Sequence, residues 1–144
     1  INMIKKNIEK YLKLFENLNK DNINNFDDLV LEDIVFKDPF NNVKGIKNFK
    51  KIFYHMFENV NEPKFTILDY AQNKSHVFLK WKMSFYAFKS LQIIEGMSDI
   101  TFNKEGKIVS HLDYWDSLNG LYVKLPFIGI LYKISLRMFK VKIN

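Results

Sequence analysis

The chain has 144 residues, a formal charge of +6 and no cysteine. Its length fits one domain, and its apolar fraction of 47% indicates a globular protein rather than a disordered one. The absence of cysteine excludes disulfides, thiolate metal sites and cysteine nucleophiles. The positive charge comes from dispersed lysines, with Arg137 as the one arginine, so we expect no nucleic-acid partner.

The sequence carries no evident targeting signal. Its N-terminus is charged early, and no uncharged apolar stretch reaches the roughly 18 residues that a membrane-spanning helix needs. Together with the lack of cysteine, these features favour a cytoplasmic protein. The chain begins at Ile1, so a short leader or tag could precede it.

Hydrophobic periodicity predicts three helices in the first half of the chain. These predicted helices cover residues 3–20, 22–31 and 45–59. A short strand over 33–37 lies between the second and third helices and ends before Pro39. The Asn41-Asn42 pair that follows is typical of a turn.

The second half of the chain reads as strands. The predicted strands cover residues 64–70, 75–88, 92–102 and 107–116. Within 75–88, apolar side chains such as Val77 and Trp81 alternate with polar ones such as Lys80 and Lys82. Helices followed by hairpin-linked strands indicate an α+β fold with a mostly antiparallel sheet.

The last predicted strand carries the residues with the most chemistry. His111, Asp113 and Trp115 share one of its faces, because side chains alternate across a strand. Asp113 could orient His111 as a base, or the pair could belong to a structural hydrogen-bond network. The three histidines are scattered, so we expect no metal and no cofactor.

A second acid, Asp38, stands directly before Pro39. It could serve as a general base if an aromatic pocket surrounds it. Alternatively, it could cap the turn that follows the strand.

Three motifs occur in a characteristic order: an Asp-Pro before a turn, a glycine opening the third helix, and a Phe-x-x-x-Gly-x-Ile hairpin leading into a Tyr-Trp strand. The residues that form them are Asp38, Pro39, Gly45, Phe102, Gly106, Ile108, Tyr114 and Trp115. This order resembles the nuclear transport factor 2-like fold, a cone of three helices wrapped by a curved sheet around a pocket. The resemblance covers roughly residues 8–122 and is closest to ketosteroid isomerases and SnoaL-like polyketide cyclases.

The resemblance implies a SnoaL-like domain over residues 1–124 and assigns roles within it. By this match Asp38 is the general base, and His111 and Asp113 fall on the pocket face. The implied pocket wall consists of Trp81, Met83, Phe85, Ser98 and Trp115.

The isomerases stabilise an enolate with a tyrosine on the first helix and a protonated aspartate on the penultimate strand. In this chain Leu14 and Ser98 fall at those positions, although Tyr11 lies one helical turn away. Because an oxyanion donor contributes a few kcal/mol, we expect no ketosteroid isomerase activity.

Two functions remain open from the sequence. The first is an enzyme that uses Asp38 for proton transfer, cyclisation or water addition on an apolar carbonyl compound or epoxide. The second is a non-catalytic protein that binds an apolar ligand or lipid. We also expect a homodimer through the outer sheet face, where Phe78 and Tyr86 lie among lysines.

Residues 125–144 are predicted to form an amphipathic basic helix. Lys133, Arg137 and Lys140 recur on one narrow stripe beside a broad apolar face. This helix could pack on the domain, or it could lie on an anionic membrane surface as a peripheral contact.

Overall fold

A computed structural model describes residues 2–120, 122–125, 127–128 and 130. The helical elements are α1 (Asn2–Glu16), a 3₁₀ helix (Ile23–Asp28), α2 (Ile46–Asn59), α3 (Ser117–Gly120) and a 3₁₀ turn (Tyr122–Lys124). The strands are β1 (Val30–Lys37), β2 (Asn42–Lys44), β3 (Asn61–Asn73), β4 (His76–Ala87), β5 (Ser90–Phe102) and β6 (Ile108–Trp115).

The strands form one curved sheet in the order β2-β1-β6-β5-β4-β3. Neighbouring strands are antiparallel, except that β1 and β6 run parallel. The N-terminal helices pack on its inner face, which confirms the predicted α+β cone. In β4 the alternation also holds: Val77, Leu79 and Trp81 are buried, whereas Phe78 and Tyr86 are exposed on the outer face.

The predicted helix over 22–31 is wrong in kind and in extent. Only Ile23–Asp28 is helical, as a 3₁₀ helix, and β1 already begins at Val30. Ile23 and Phe26 are fully buried three residues apart, which is the period of a 3₁₀ helix. The backbone N–H of Ile108 bonds the carbonyl of Leu29 at 2.9 Å, so pairing with β6 overrides the local helical pattern.

The first helix ends at Glu16 rather than at residue 20. Asparagine side chains replace the helical hydrogen bonds here: Asn22 Nδ2 donates to the Asn17 carbonyl at 2.8 Å, and Asn22 Oδ1 accepts from the Asn19 N–H at 2.8 Å. Such side chains compete with the backbone ladder, which is why the helix stops.

Some of the predicted strands were too short, and one strand was not predicted. β3 extends over Asn61–Asn73 instead of 64–70, because its polar ends pair with β4 as Asn61↔Tyr86 and Asn73↔His76. Asn42, predicted to lie in a turn, begins the short strand β2, which pairs with β1.

Aromatic rings fill the space between the helices and the sheet. The ring centroids of Phe49 lie 5.0 Å from those of both Phe26 and Phe53, and Phe15 lies 5.4 Å from Phe53. These pairs are edge-to-face, a geometry that contributes about 0.5–1.5 kcal/mol per pair beyond area burial. This aromatic core, which includes Phe49 and Phe53 of α2, fills one part of the cone, and a cavity stays open between α2 and the sheet.

No helix in the described part of the chain is long and apolar enough to cross a membrane. Phe127, Ile128 and Ile130 are helical and exposed, at the start of the segment predicted as a basic helix. The basic stripe of Lys133, Arg137 and Lys140 lies outside the described residues.

Candidate active site

A cavity of about 610 Å³ lies between α2 and the inner face of the sheet. This volume falls within the range of small-molecule sites. Its wall is mostly apolar because α2 and the inward-facing positions of β1, β3, β4, β5 and β6 carry aromatic and aliphatic residues. These include Phe36, Phe53, Phe65, Trp81, Met83, Phe85, Ile94 and Trp115.

Two carboxylates line this cavity, those of Asp38 and Asp113. The predicted wall residues Trp81, Met83, Phe85 and Trp115 also line it. The remaining two predicted site residues, Ser98 and His111, do not reach the cavity but lie in a hydrogen-bonded layer directly behind it. The sequence therefore predicted the cavity face of the sheet, but not which of its side chains are covered.

Behind the cavity, a chain of hydrogen bonds ends on Asp113. His111 Nε2 lies 2.8 Å from Asp113 Oδ1, and Tyr11 Oη lies 2.8 Å from His111 Nδ1. Ser98 Oγ donates to the same Asp113 oxygen and accepts from Trp81 Nε1 at 2.8 Å. The network thus joins α1, β4, β5 and β6.

The donors of this network can be counted. Trp81 Nε1 can only donate, so Ser98 uses its own proton on Asp113. Tyr11 Oη has no other described partner, so its proton goes to Nδ1 of His111, and the imidazole proton lies on Nε2. Oδ1 of Asp113 therefore accepts two hydrogen bonds, from the Ser98 hydroxyl and from Nε2–H of His111.

Tyr11 keeps its proton in this arrangement. Burial raises the pKa of the Tyr11 phenol well above its ordinary value of 10.0, and the negative charge of Asp113 raises it further. A phenol that stays neutral remains a donor to His111 over the physiological range. Tyr11 thereby fixes the tautomer that lets His111 donate to Asp113.

The second oxygen of Asp113 has a different environment. No described residue donates a hydrogen bond to Oδ2, and the side chain is 18% exposed at the cavity wall. The site therefore combines one carboxylate oxygen that is held in place with one that is open to a ligand.

Ser98 and His111 are covered because the helices reach them. His111 is 3% exposed, and its ring centroid lies 5.2 Å from that of Phe15 and 5.5 Å from that of Phe36. Ser98 is 2% exposed beneath the Trp81 indole. Gly96, which opposes Trp81 in the next strand, leaves room for this ring, since any Cβ there would overlap it.

Asp38 caps the turn that follows β1, which is one of the two roles that its sequence position suggests. Its Oδ1 accepts from the backbone N–H of Phe40 at 2.8 Å and of Asn41 at 2.6 Å. The Asn41 side-chain amide contacts both carboxylate oxygens, at 3.1 and 3.0 Å. Asp38 therefore closes the turn and lines the cavity at the same time.

Sequence reasoning missed three contributors to the site. Tyr11 was considered only as a neighbour of Leu14, and no local pattern shows that its hydroxyl meets a strand 100 residues later. No site role is predicted from the sequence for Lys51 or His55 of α2, yet both line the cavity. Their positions one helical turn apart, beside Ile52, were the available signal.

Other polar residues have structural partners outside the cavity. Asp116 Oδ1 accepts from the backbone N–H groups of Leu118 and Asn119, at 3.1 and 3.0 Å, at the start of α3. These bonds, Asn119 foremost, lower the pKa of Asp116. His76 lies 2.7 Å from Asp99 on the outer face. Among the described residues, no group of three or more potential ligands could hold a metal ion.

The helices packed on a curved sheet around an inner cavity define a nuclear transport factor 2-like fold. Residues 11–111 match the family model of the SnoaL-like domain. Because this match spans more than half of the chain, the protein belongs to the SnoaL-like family. A comparison with curated proteins finds no match.

Solved structures share the fold at low sequence identity. An LEH-like epoxide hydrolase from M. tuberculosis is 14% identical with a TM-score of 0.66, covering 99% of this chain and 96% of its own. A proposed SnoaL-like polyketide cyclase from Jannaschia sp. CCS1 is 12% identical with a TM-score of 0.69, covering 81% of this chain and 90% of its own.

A third relative is a protein with a ketosteroid isomerase-like fold from Catenulispora acidiphila, in complex with trimethylamine. It is 14% identical with a TM-score of 0.69, covering 83% of this chain and 93% of its own. At these identities the likeness establishes the fold alone.

Proposed function

We propose that the protein binds a small apolar molecule in its cavity and that Asp113 acts on this molecule as a general base. The reaction would be a proton transfer, a cyclisation or a water addition. The observation that carries the proposal is Oδ2 of Asp113, to which no described residue donates, in a wall that is otherwise mostly hydrocarbon. A fixed carboxylate in such a cavity is placed to accept a proton from a bound carbon acid or water.

Asp113 has the better geometry of the two cavity carboxylates. Both oxygens of Asp38 already accept hydrogen bonds from Asn41, and Oδ1 accepts one more from Phe40. Asp113 keeps one oxygen without any described donor. The family resemblance gives the role of base to Asp38, but we propose that Asp113 has this role. We propose that Asp38 instead holds the turn at the edge of the cavity.

In the proposed step the substrate proton moves to Oδ2 of Asp113. His111 Nε2–H and the Ser98 hydroxyl remain bonded to Oδ1 and hold the plane of the carboxylate. His111 and Ser98 are therefore positioning residues. The names of two structural relatives, an epoxide hydrolase and a proposed polyketide cyclase, agree with water addition and cyclisation as the reaction classes.

A base-sensitive probe tests this proposal before the natural substrate is known. Nitrobenzisoxazole loses its C–H proton to a base while its N–O bond breaks, which releases a coloured phenolate. We expect the wild type to accelerate this reaction over buffer, and Asp113→Asn to lose the acceleration. Asp38→Asn is the matched control and should keep most of it. Equal rates for the wild type and Asp113→Asn would refute Asp113 as a base.

One observation favours the second candidate, a non-catalytic binding protein. The two positions that match the oxyanion donors of the isomerases hold Leu14, which is buried and apolar, and Ser98, whose hydroxyl is already used by Trp81 and Asp113. Probe binding that quenches tryptophan fluorescence, without any acceleration, would support this candidate.

We also propose a homodimer through the outer face of the sheet. Five large apolar residues on β4, β5 and β6 are each at least half exposed there: Tyr86, Leu91, Ile93, Met97 and Tyr114. Tyr86 pairs with Leu91, and Met97 pairs with Tyr114, so they form two exposed apolar pairs across the strands, with the pair Lys82–Glu95 between them. Several large apolar residues exposed on one face in this way are typical of an interface.

The peripheral membrane contact of residues 125–144 remains a proposal. Its described part contributes exposed Phe127 and Ile130. Co-sedimentation with anionic and neutral vesicles, for the whole chain and for a chain that ends at residue 126, tests it. Binding to anionic vesicles that salt weakens and truncation abolishes is the expected result. Equal binding before and after truncation would contradict it.

A further inference from the structure

We infer that the ligand is an amphipathic carboxylate whose anionic head is held by Lys51 and His55 at the mouth of the cavity. Its hydrocarbon part would lie against the aromatic wall. This inference rests on the proposed ligand-binding function of the cavity and specifies the chemical class of the ligand.

The first argument is the position of these residues on α2. Asn48, Lys51 and His55 recur at spacings of three and four, so they share one stripe of the helix, and all three are exposed and line the cavity. Ile52 and Met56 form the adjacent, half-buried stripe of the same wall. The cavity therefore changes from apolar to polar across α2, as an amphipathic ligand requires.

The second argument is that Lys51 has no described partner, unlike its neighbour. Lys50 Nζ lies 2.8 Å from a carboxylate oxygen of Asp27 and 3.0 Å from Asn24 Oδ1, which fixes it against the 3₁₀ helix. No described carboxylate lies within ion-pair distance of Lys51. The two adjacent lysines thus differ in role, and the Lys51 ammonium is available to a ligand.

The third argument is the donor on His55. Its Nδ1 faces the side-chain amide of Asn59 at 3.2 Å, so this nitrogen accepts and the ring proton lies on Nε2. No described residue accepts from Nε2. A neutral His55 therefore adds one N–H donor to the three of the Lys51 ammonium, and a carboxylate has two oxygens to accept them.

The two carboxylates in the cavity, those of Asp38 and Asp113, would repel an anionic ligand head, but they differ in position and in hydrogen bonding. The Asp38 charge is already bonded by Asn41 and Phe40, whereas Asp113 projects from the sheet opposite α2. A ligand with its head at Lys51 would thus place its chain toward Asp113. A cationic ligand would instead be drawn to Asp113 and repelled by Lys51, so head-group charge separates the two possibilities.

The experiment uses three probes with the same tail: dodecanoate, 1-dodecanol and dodecylamine. Binding to the full chain is measured at low salt by quenching of tryptophan fluorescence, since Trp81 and Trp115 line the cavity. We expect dodecanoate to bind about fivefold more tightly than the alcohol, and salt to reduce this preference. Lys51→Gln should remove most of it and Lys51→Arg should restore it. Lys47→Gln is the matched control on the same helix, because Lys47 is exposed and does not line the cavity.

Each result has a separate meaning. Equal affinity for dodecanoate and dodecanol, or a preference that survives in Lys51→Gln, would overturn the head-group inference and leave the cavity proposal intact. Tightest binding of dodecylamine would also overturn it and would assign ligand recognition to Asp113. Failure of all three probes to bind would overturn both the inference and the proposed ligand-binding function.

Discussion

The inner face of the sheet has two regions with opposite properties. Under α1 it is filled, and His111 is covered there by Tyr11 and Phe15. Beside α2 it is hollow, and Asp113 lies in the cavity wall. A single residue of β6, Leu112, separates His111 from Asp113. The comparison shows how a rigid core can hold a reactive group. The hydrogen bonds from Tyr11 through His111 begin in the packed region and end on Asp113 at the cavity.

The largest expected effect comes from breaking this link at His111. His111→Ala would leave Tyr11 Oη without a hydrogen-bond partner and Asp113 Oδ1 with the Ser98 hydroxyl alone, beside a cavity the size of the lost ring. We expect a loss of about 3 kcal/mol in the free energy of unfolding. Urea denaturation measures it. A loss under about 1 kcal/mol would contradict a structural network at this position.

The next effect is that of Tyr11→Phe, which removes one hydroxyl and keeps the ring. We expect a loss of about 1–2 kcal/mol at neutral pH, because His111 Nδ1 becomes a buried acceptor without a donor. The base reaction should also weaken, as His111 is then free to change its tautomer. Unchanged stability and unchanged rate together would show that the Tyr11 hydroxyl does not position His111.

Tyr11 also predicts a pH dependence with a defined sign. Its pKa is raised in the folded protein, so above pH 10.0, the ordinary tyrosine value, the folded state binds more protons than the unfolded one. Stability is then fully present below that pH and is lost as the pH rises through it. Denaturation between about pH 9 and pH 11 should show a steeper loss for the wild type than for Tyr11→Phe. Parallel curves would contradict a raised pKa at Tyr11.

In the open region, Asp38→Asn should have a smaller effect. Asparagine can still accept from the Phe40 and Asn41 backbone groups, so we expect a loss of about 1 kcal/mol or less in stability. Thermal unfolding measures it, with Asp113→Asn as the comparison. Complete loss of the probe reaction in Asp38→Asn, with the fold intact, would return the role of base to Asp38.

A substitution on the outer face of the sheet should have the smallest effect on stability, and it should change the oligomeric state. Ile93→Lys places a charge in the exposed apolar patch, so we expect monomers with nearly unchanged stability. Light scattering at high micromolar concentration checks the state of the wild type and the variant. A wild type that is already monomeric would rule out the proposed homodimer.

Much of the architecture could be predicted because its signals are local. The alternation of side chains along β4 identified its buried face, and the same alternation placed Asp113 and Trp115 on one face of β6. Alternation could not show that Ser98 and His111 lie behind the cavity wall, because distant residues such as Tyr11 bury them. The helix predicted over 22–31 failed for a similar reason, since pairing with β6 is not visible in the local pattern.

The most direct test of the account is the state of the Asp113 carboxyl group. Its ¹³C resonance can be assigned by comparing the wild type with Asp113→Asn and followed while 1-dodecanol is added. The account predicts that this resonance moves as the cavity fills. A resonance that stays fixed while tryptophan fluorescence reports binding would contradict Asp113 as the cavity base.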